Sequence, residues 1–232
     1  MRFEYKYILN EQKYNALLLQ LSRYCKRDKY TKKSNNNKGY FVRSLYFDTY
    51  DYLAYQEKMQ GEFGRNKLRI RTYSEEEESC KFYSLEIKSR FGNQIHKNSI
   101  HLPYSDLNLQ QKCLGLDCKK SPVVDEFLRL LLLKNQCPKV LVDYYREAWV
   151  PIDATDFRIT IDHNLTFEKS DVMYPQNSFK RKHLKHKVLE IKTQMAELPT
   201  WLIYLIRTLS LQSVPHSKYA YGIEATQHQL YY

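Results

Sequence analysis

The stretch Arg65-Asn66-Lys67-Leu68-Arg69-Ile70-Arg71 decides how this chain folds. Every second side chain is a cation, and Leu68 and Ile70 stand between them. Side chains on a strand alternate sides, so the stretch reads as a strand with one charged and one apolar face. Four others repeat the pattern: Arg2-Phe3-Glu4-Tyr5-Lys6-Tyr7, Leu85-Glu86-Ile87-Lys88, Arg158-Ile159-Thr160-Ile161-Asp162 and Leu189-Glu190-Ile191-Lys192. One such strand is an ordinary half-buried strand with a solvated outer face. Five must be reconciled with the helices.

Two apolar helical stretches, Val123–Lys134 and Leu198–Leu211, each need a surface to cover. If the five apolar strand faces met one another in a sandwich, little would remain for them. If the helices pack outside a curved sheet, its charged faces point inward. The expectation is therefore an α+β fold whose core is a closed antiparallel β-barrel of about eight strands, a charged tunnel with helices outside.

The rest of the chain is consistent with this. Arg2–Leu9, Tyr40–Phe47, Asn66–Tyr73, Phe82–Ser89, His96–Leu102, Val140–Ala148, Phe157–Ile161 and Lys187–Lys192 read as strands, and Tyr219–Glu224 as a last short one. Asn10 is placed to cap a helix over Glu11–Lys26, and Ser121-Pro122 to open the one at Val123. Asp51–Gln60 reads as a short helix stopped by Gly61, and the basic Lys29–Lys38 as a loop. With no repeat or clear linker, residues 1–232 read as a single domain.

Lysine and arginine number 37 against 26 acids, so the net charge of +11 predicts an anionic partner. No apolar run approaches the roughly 18 residues of a membrane span, and Met1-Arg2-Phe3-Glu4 opens without a secretory signal. Five cysteines without a CxxC spacing, Cys113 and Cys118 included, read as reduced thiols of a cytoplasmic protein. The expected lumen holds Lys6, Lys67, Arg69, Arg71, Lys88, Arg158 and Lys192, with Glu4, Glu86, Asp162 and Glu190 offsetting part of the charge. Two cations about 6 Å apart repel by on the order of 2–3 kcal/mol at an effective dielectric near 20. Such a lumen suits an extended polyanion, and its carboxylates suit a hard divalent cation, Mg²⁺ or Mn²⁺. His183-x-x-His186 lies in a basic run, Lys180–Lys187, that would repel a dication and suits attraction of polyanions instead.

Eight short motifs then stand in order: Arg2-x-Glu4-x-Lys6-Tyr7, Ser44-Leu45-Tyr46-Phe47-Asp48, Lys67-Leu68-Arg69-Ile70-Arg71-x-Tyr73, Leu85-Glu86-Ile87-Lys88, Tyr144-Tyr145-Arg146, Arg158-x-Thr160-x-Asp162, Leu189-Glu190-Ile191-Lys192 and Ser217-Lys218-Tyr219-x-x-Gly222-Ile223-Glu224. From Arg2 to about Glu224 the chain resembles the catalytic domain of the vacuolar transporter chaperone (VTC) complex. That domain is the polyphosphate polymerase of the triphosphate tunnel metalloenzyme superfamily.

The resemblance implies a tunnel that binds ATP or another nucleoside triphosphate by its phosphates and passes the γ-phosphate to a growing polyphosphate chain. By position, Lys6, Arg69, Arg71, Lys88 and Arg146 would hold phosphates, with Ser217 and Lys218 beside them. Glu190 would bind the metal, with Glu4 as a second candidate, and Tyr144 would offer a phenolic hydrogen bond from the face that carries Arg146. Catalysis would rest on Glu190, Arg69, Arg71 and Arg146, because phosphoryl transfer needs positioning and charge neutralisation more than a protein nucleophile. Two positions depart from the family: Arg2 stands where the wider superfamily has a glutamate, and Pro215 where the polymerase has a lysine. The competing readings are a tunnel triphosphatase with water as acceptor and a non-catalytic polyphosphate-binding module. A specific nucleic-acid binder would display its cations on an exposed face interleaved with aromatics.

Overall fold

Alternation along the strands and 3.6-residue periodicity between them organise the computed structural model, which describes residues 3–34, 39–92, 94–108, 115–116, 121–153, 156–176 and 182–227. The elements are β1 (Phe3–Leu9), α1 (Glu11–Tyr24), β2 (Cys25–Arg27), α2 (Lys29–Lys33), β3 (Tyr40–Asp48), α3 (Leu53–Met59), β4 (Gly64–Thr72), β5 (Phe82–Phe91) and β6 (Gln94–Pro103). They continue through β7 (Leu107–Asn108), β8 (Gly115–Leu116), α4 (Pro122–Leu133), β9 (Cys137–Pro151), β10 (Phe157–Lys169), β11 (Lys182–His183), β12 (Lys187–Thr193), α5 (Thr200–Thr208) and α6 (Lys218–Gln227).

The hydrogen-bonded strand order is β1-β12-β10-β9-β3-β4-β5-β6, with β2 on β9, β11 on β10, and β7-β8 apart. Neighbours β1–β12, β10–β12, β3–β4, β4–β5 and β5–β6 all pair antiparallel. The path has two ends, β1 and β6, so hydrogen bonds do not close the sheet into the barrel expected from the sequence. The fold is an antiparallel, sheet-rich α+β fold. It comprises two compact units, one from the described parts of Met1–Phe41, Tyr144–Leu165 and His183–His216, the other from those of Val42–Asp143, Thr166–Lys182 and Ser217–Tyr232.

Within each unit the apolar strand faces meet helices, as the expected inversion requires. In the first, Tyr7 and Leu9 of β1, Leu189 and Ile191 of β12, and Ile159 and Ile161 of β10 form a core with Leu17 and Leu21 of α1 and Leu202 and Leu205 of α5. In the second, Leu45, Phe47, Leu68, Ile70, Leu85 and Ile87 pack under Val124, Phe127 and Leu130 of α4. A fully buried side chain of this kind stabilises by roughly 1.5–3 kcal/mol, which holds each strand's charged parity on the opposite face.

Local chemistry explains the boundaries. The Asn10 side chain accepts the Lys13 amide at 2.9 Å, as expected of the α1 cap, but the helix ends at Tyr24 and Cys25–Arg27 turns into β2 on β9. Pro122 opens α4, although the Ser121 hydroxyl makes no capping bond. Lys29–Lys33 is helical instead of a loop, because the Asp28 carboxylate caps it through the Thr31 amide at 2.8 Å and Thr31 is buried. Residues 35–37, Cys113, Cys118, Arg2, Lys180 and Arg181 lie outside the described residues.

The largest difference is near the C-terminus, where the expected strand Tyr219–Glu224 lies within α6. Its buried positions, Tyr219, Ala220, Gly222, Ile223 and Thr226, follow a helical period that so short a stretch hides behind apparent alternation. Gly222 sits where a Cβ would come within 2.9 Å of Val140 Cγ2 and 3.2 Å of Phe167 Cδ1. Gly222→Ala is therefore expected to destabilise by about 1–3 kcal/mol through overpacking. An unchanged melting temperature would show that α6 is not seated this tightly.

Candidate functional site

The charged faces of the two units differ in composition. In the second unit the antiparallel register stacks like parities into rungs: Ser44↔Arg71↔Ser84↔His101, Tyr46↔Arg69↔Glu86↔Ser99 and Lys67↔Lys88↔Lys97. Lys67, Arg69, Arg71, Lys88 and Lys97 thus share one face with Glu86, and Glu86 bears much of the compensation. Its carboxylate receives Arg69 Nε at 2.8 Å and Arg69 Nη2 through the same oxygen, with Lys97 Nζ at 3.2 Å and Arg71 Nη1 at 3.7 Å. Burial pushes the Glu86 pKa up, but Arg69, Arg71 and Lys97 overcome it and hold the group well below the usual carboxylate range.

The remaining partners hold the cations in place. Arg69 Nη1 donates to the Tyr46 hydroxyl at 2.9 Å, and Arg71 Nε to Ser44 Oγ at 3.0 Å. Burial raises the Tyr46 phenol, yet Arg69, Arg71 and Lys218 bring it below its ordinary value. Lys67 Nζ donates to Ser217 Oγ at 3.2 Å and lies 5.2 Å from the Tyr219 ring. Ser217 and Lys218 were expected beside a terminal strand; they stand instead at the start of α6, where the Ser217 hydroxyl also takes the Ala220 amide at 3.4 Å. Tyr219 is anchored through its hydroxyl to the fully buried Asp48, whose carboxylate also accepts the amides of Ala54 and Tyr55 at the start of α3.

Two members of this face were not singled out from the sequence. Lys97 belongs to Gln94–Pro103, where polar residues fall on both parities and no charged alternation stands out. His101, on the same strand, has Nδ1 2.7 Å from Ser84 Oγ. The signal that finds both is the β5–β6 hairpin register, which sets Lys97 opposite Lys88 and His101 opposite Ser84.

In the first unit the corresponding face carries Glu4 and Lys6 of β1, Glu190 and Lys192 of β12, Arg158, Thr160 and Asp162 of β10, and Tyr144 and Arg146 of β9. Register sets Lys6 opposite Glu190 and Glu4 opposite Lys192, with Thr160 and Arg158 on the other side of β12. Lys6 Nζ lies 2.9 Å from Glu4 and 3.8 Å from Glu190, and donates to the His216 carbonyl at 2.9 Å. Glu190 has Lys192 at 3.2 Å and Arg146 at 3.7 Å. Arg146 is fixed by a forked pair to Asp162, Nε to Oδ1 at 2.6 Å and Nη2 to Oδ2 at 2.8 Å, and its guanidinium lies 5.2 Å from the buried Tyr144 ring. Arg158 donates to Asp28 at 2.7 Å, the same carboxylate that caps α2. Burial opposes ionisation of Glu190, but Lys192, the adjoining Glu4 carboxyl, Lys6 and Arg146 together drive its pKa well below the carboxylate range.

The faces therefore offer different chemistry. Around Glu86 the cations outnumber the carboxylate, as an anion site requires. Around Glu190, three carboxylates, Glu4, Asp162 and Glu190, meet three cations, Lys6, Arg146 and Lys192. Among the described residues no three His, Cys, Asp or Glu side chains group closely enough to cage a metal ion. The Glu4–Glu190 pair fits the other mode open to Mg²⁺, in which one or two carboxylates and substrate phosphates complete a largely hydrated shell.

Among solved structures, the chain is similar to a "putative adenylate cyclase" from Bacillus halodurans, with 16% identity, 94% of each chain covered and a TM-score of 0.57. A protein from Pyrococcus horikoshii is similar at 12% identity over 97% of this chain and 99% of that one, with a TM-score of 0.49. At these identities the likeness speaks for the fold alone, and only the first carries that argument. No curated protein matches the sequence. The VTC domain model matches residues 1–227, nearly the whole length and all eight motifs, so the chain belongs to the VTC domain family.

Proposed function

We propose that this VTC-domain chain binds the phosphates of ATP or another nucleoside triphosphate and transfers the terminal phosphoryl group to polyphosphate. The observation that carries the reading is the β4–β6 face, where Lys67, Arg69, Arg71, Lys88 and Lys97 share one side with Glu86, and Arg69, Arg71 and Lys97 pair with it. A triphosphate would bring anionic charge to this row of cations. Arg69 and Arg71 offer forked donors for phosphate oxygens, and Lys67 and Lys88 offer point charges. Arg146, already oriented by Asp162, would present its guanidinium without first losing rotamer freedom.

In the first unit, Glu190 and Glu4 would hold a Mg²⁺ or Mn²⁺ ion, which would supply charge neutralisation to a phosphate on that unit's own face. Lys6, Lys192 and Arg146, which now compensate Glu190, would then be available to a phosphate on the same face. In the transfer, the bond from the γ-phosphorus to the bridging oxygen of the nucleoside diphosphate breaks. A bond to a terminal oxygen of the acceptor chain forms. With water as acceptor the same residues would make a triphosphatase, since no acceptor side chain distinguishes the two.

Incubation with ATP and Mn²⁺, with chain length and free phosphate measured on the same sample, separates these readings. Polyphosphate growth with little phosphate release is expected; release alone would assign the hydrolase. Calorimetry should also show tripolyphosphate binding more tightly than orthophosphate, and equal affinities would contradict an extended anion site. Among the described residues no helix is long and apolar enough to cross a membrane.

A further inference from the structure

We infer that Phe63 is the platform for the nucleobase of the substrate, which makes the preferred ligand a nucleoside triphosphate over inorganic triphosphate. The inference rests on the proposed triphosphate reading and adds the part of the ligand that carries no charge.

The β4–β5 ladder pairs Arg71 with Ser84, Arg69 with Glu86, Lys67 with Lys88, Arg65 with Arg90 and Gly64 with Phe91. The Gly92 amide donates to the Phe63 carbonyl at 2.8 Å, so the ladder continues one step to Phe63 opposite Gly92. Phe63 therefore falls on the parity of Arg65, Lys67 and Arg69, at the end of the cationic row. At strand rise, Lys67 is roughly 13 Å along the chain from it, and Arg65 lies midway. That spacing suits a base at one end of an extended triphosphate.

The ring itself is built as a support. The Cβ position of Gly92 lies 2.8–3.5 Å from Phe63 ring carbons, so the ring leans on a glycine that has no side chain to displace it. Gly92 is at φ +56°, a conformation that costs glycine little. Covering a cross-strand glycine accounts for one side of the ring. It does not account for the 74% exposure of Phe63, which leaves the other side to solvent. The neighbouring arginines are tied to loop carbonyls: Arg65 Nη1 donates to Glu62 at 3.0 Å and Arg90 Nε to Gly92 at 2.7 Å. An aromatic ring backed on one side, open on the other and flanked by fixed cations is what base stacking beside a phosphate chain requires.

Base–aromatic stacking is typically worth roughly tenfold or more in affinity. Titration of ATP and of tripolyphosphate into the parent, Phe63→Ala and Phe63→Leu tests the inference. Both substitutions are expected to weaken ATP by about tenfold and leave tripolyphosphate unchanged. Phe63→Trp should retain ATP binding, with its indole fluorescence quenched by ATP and not by tripolyphosphate. Equal losses for both ligands, or no loss for ATP, would overturn the base platform while leaving the phosphate site standing. A parent protein that binds neither ligand overturns the triphosphate reading and this inference with it. Because the ring is exposed, Phe63→Ala should melt close to the parent, so lost ATP affinity cannot be assigned to unfolding.

Discussion

Glu190→Gln is expected to lower turnover of ATP by about a hundredfold or more while tripolyphosphate still binds without metal. Glutamine keeps the size and polarity of the side chain but lacks the charge a hard cation requires. Lys6, Lys192 and Arg146 surround the native carboxylate, so its neutralisation leaves that face more positive, and metal-free binding should hold or tighten. Arg69→Ala should instead weaken that metal-free binding, by roughly 1.5–3 kcal/mol, the usual worth of hydrogen bonds to charged groups. Parent-like turnover in Glu190→Gln would remove the catalytic assignment and leave a polyphosphate-binding module.

The second large effect concerns Glu86. Its side chain is 3% exposed and receives Arg69, Arg71 and Lys97, whereas the Arg69 side chain is 21% exposed. Removing one member of a buried charge cluster costs about 3–5 kcal/mol, and less here because Arg69 can reach water. Glu86→Gln is thus expected to melt well below the parent and to recover most of the difference in saturating tripolyphosphate, which supplies the missing anion. The pH dependence has a definite sign. A carboxylate whose folded pKa is depressed contributes its stability above the ordinary carboxylate range and loses it as pH falls toward the folded value. The melting temperatures of parent and variant should therefore converge below about pH 4. A variant that melts like the parent, or that tripolyphosphate fails to rescue, would show that Glu86 is not the counter-ion of an anion site.

Legibility in the sequence followed how directly each feature depends on alternation. In β4 and β12 every residue type matches its face, and Arg69, Arg71, Glu190 and Lys192 were placed correctly relative to Leu68, Ile70, Leu189 and Ile191. The packing of α4 and α5 on the apolar faces followed from the same parity. Features that depend on a distant partner were hidden. Lys29–Lys33 has loop composition, and its helix relies on Asp28 and a buried Thr31 that also meets the Ala148 carbonyl. Lys218–Gln227 has weak amphipathicity and is held by Asp48 and by close contact at Gly222.

Glu147 shows the same limit within a well-read strand. It follows Arg146, so alternation sends it to the opposite face, where an unpaired charge would not be tolerated. The structure buries it fully against the Tyr14 hydroxyl at 2.7 Å, His163 Nε2 at 2.9 Å and Trp149 Nε1 at 3.3 Å. None of these partners is near it in sequence apart from Trp149. Closure into a barrel was likewise beyond the reach of periodicity, because parity says which way a side chain faces and not which strand pairs with which.

The rungs Arg65↔Arg90 and Lys67↔Lys88↔Lys97 place like charges directly across paired strands, an arrangement that weakens a sheet. A neutral residue at Arg65 or Arg90 should therefore raise the heat resistance of the protein without ligand. Selection acting on endurance and selection acting on ligand capture pull these codons in opposite directions. A library screened for thermal survival without nucleotide or polyphosphate should lose charge here first, and the same library screened with ligand should keep it. The difference between the two surviving pools would trace the outline of the anion track from genotype alone.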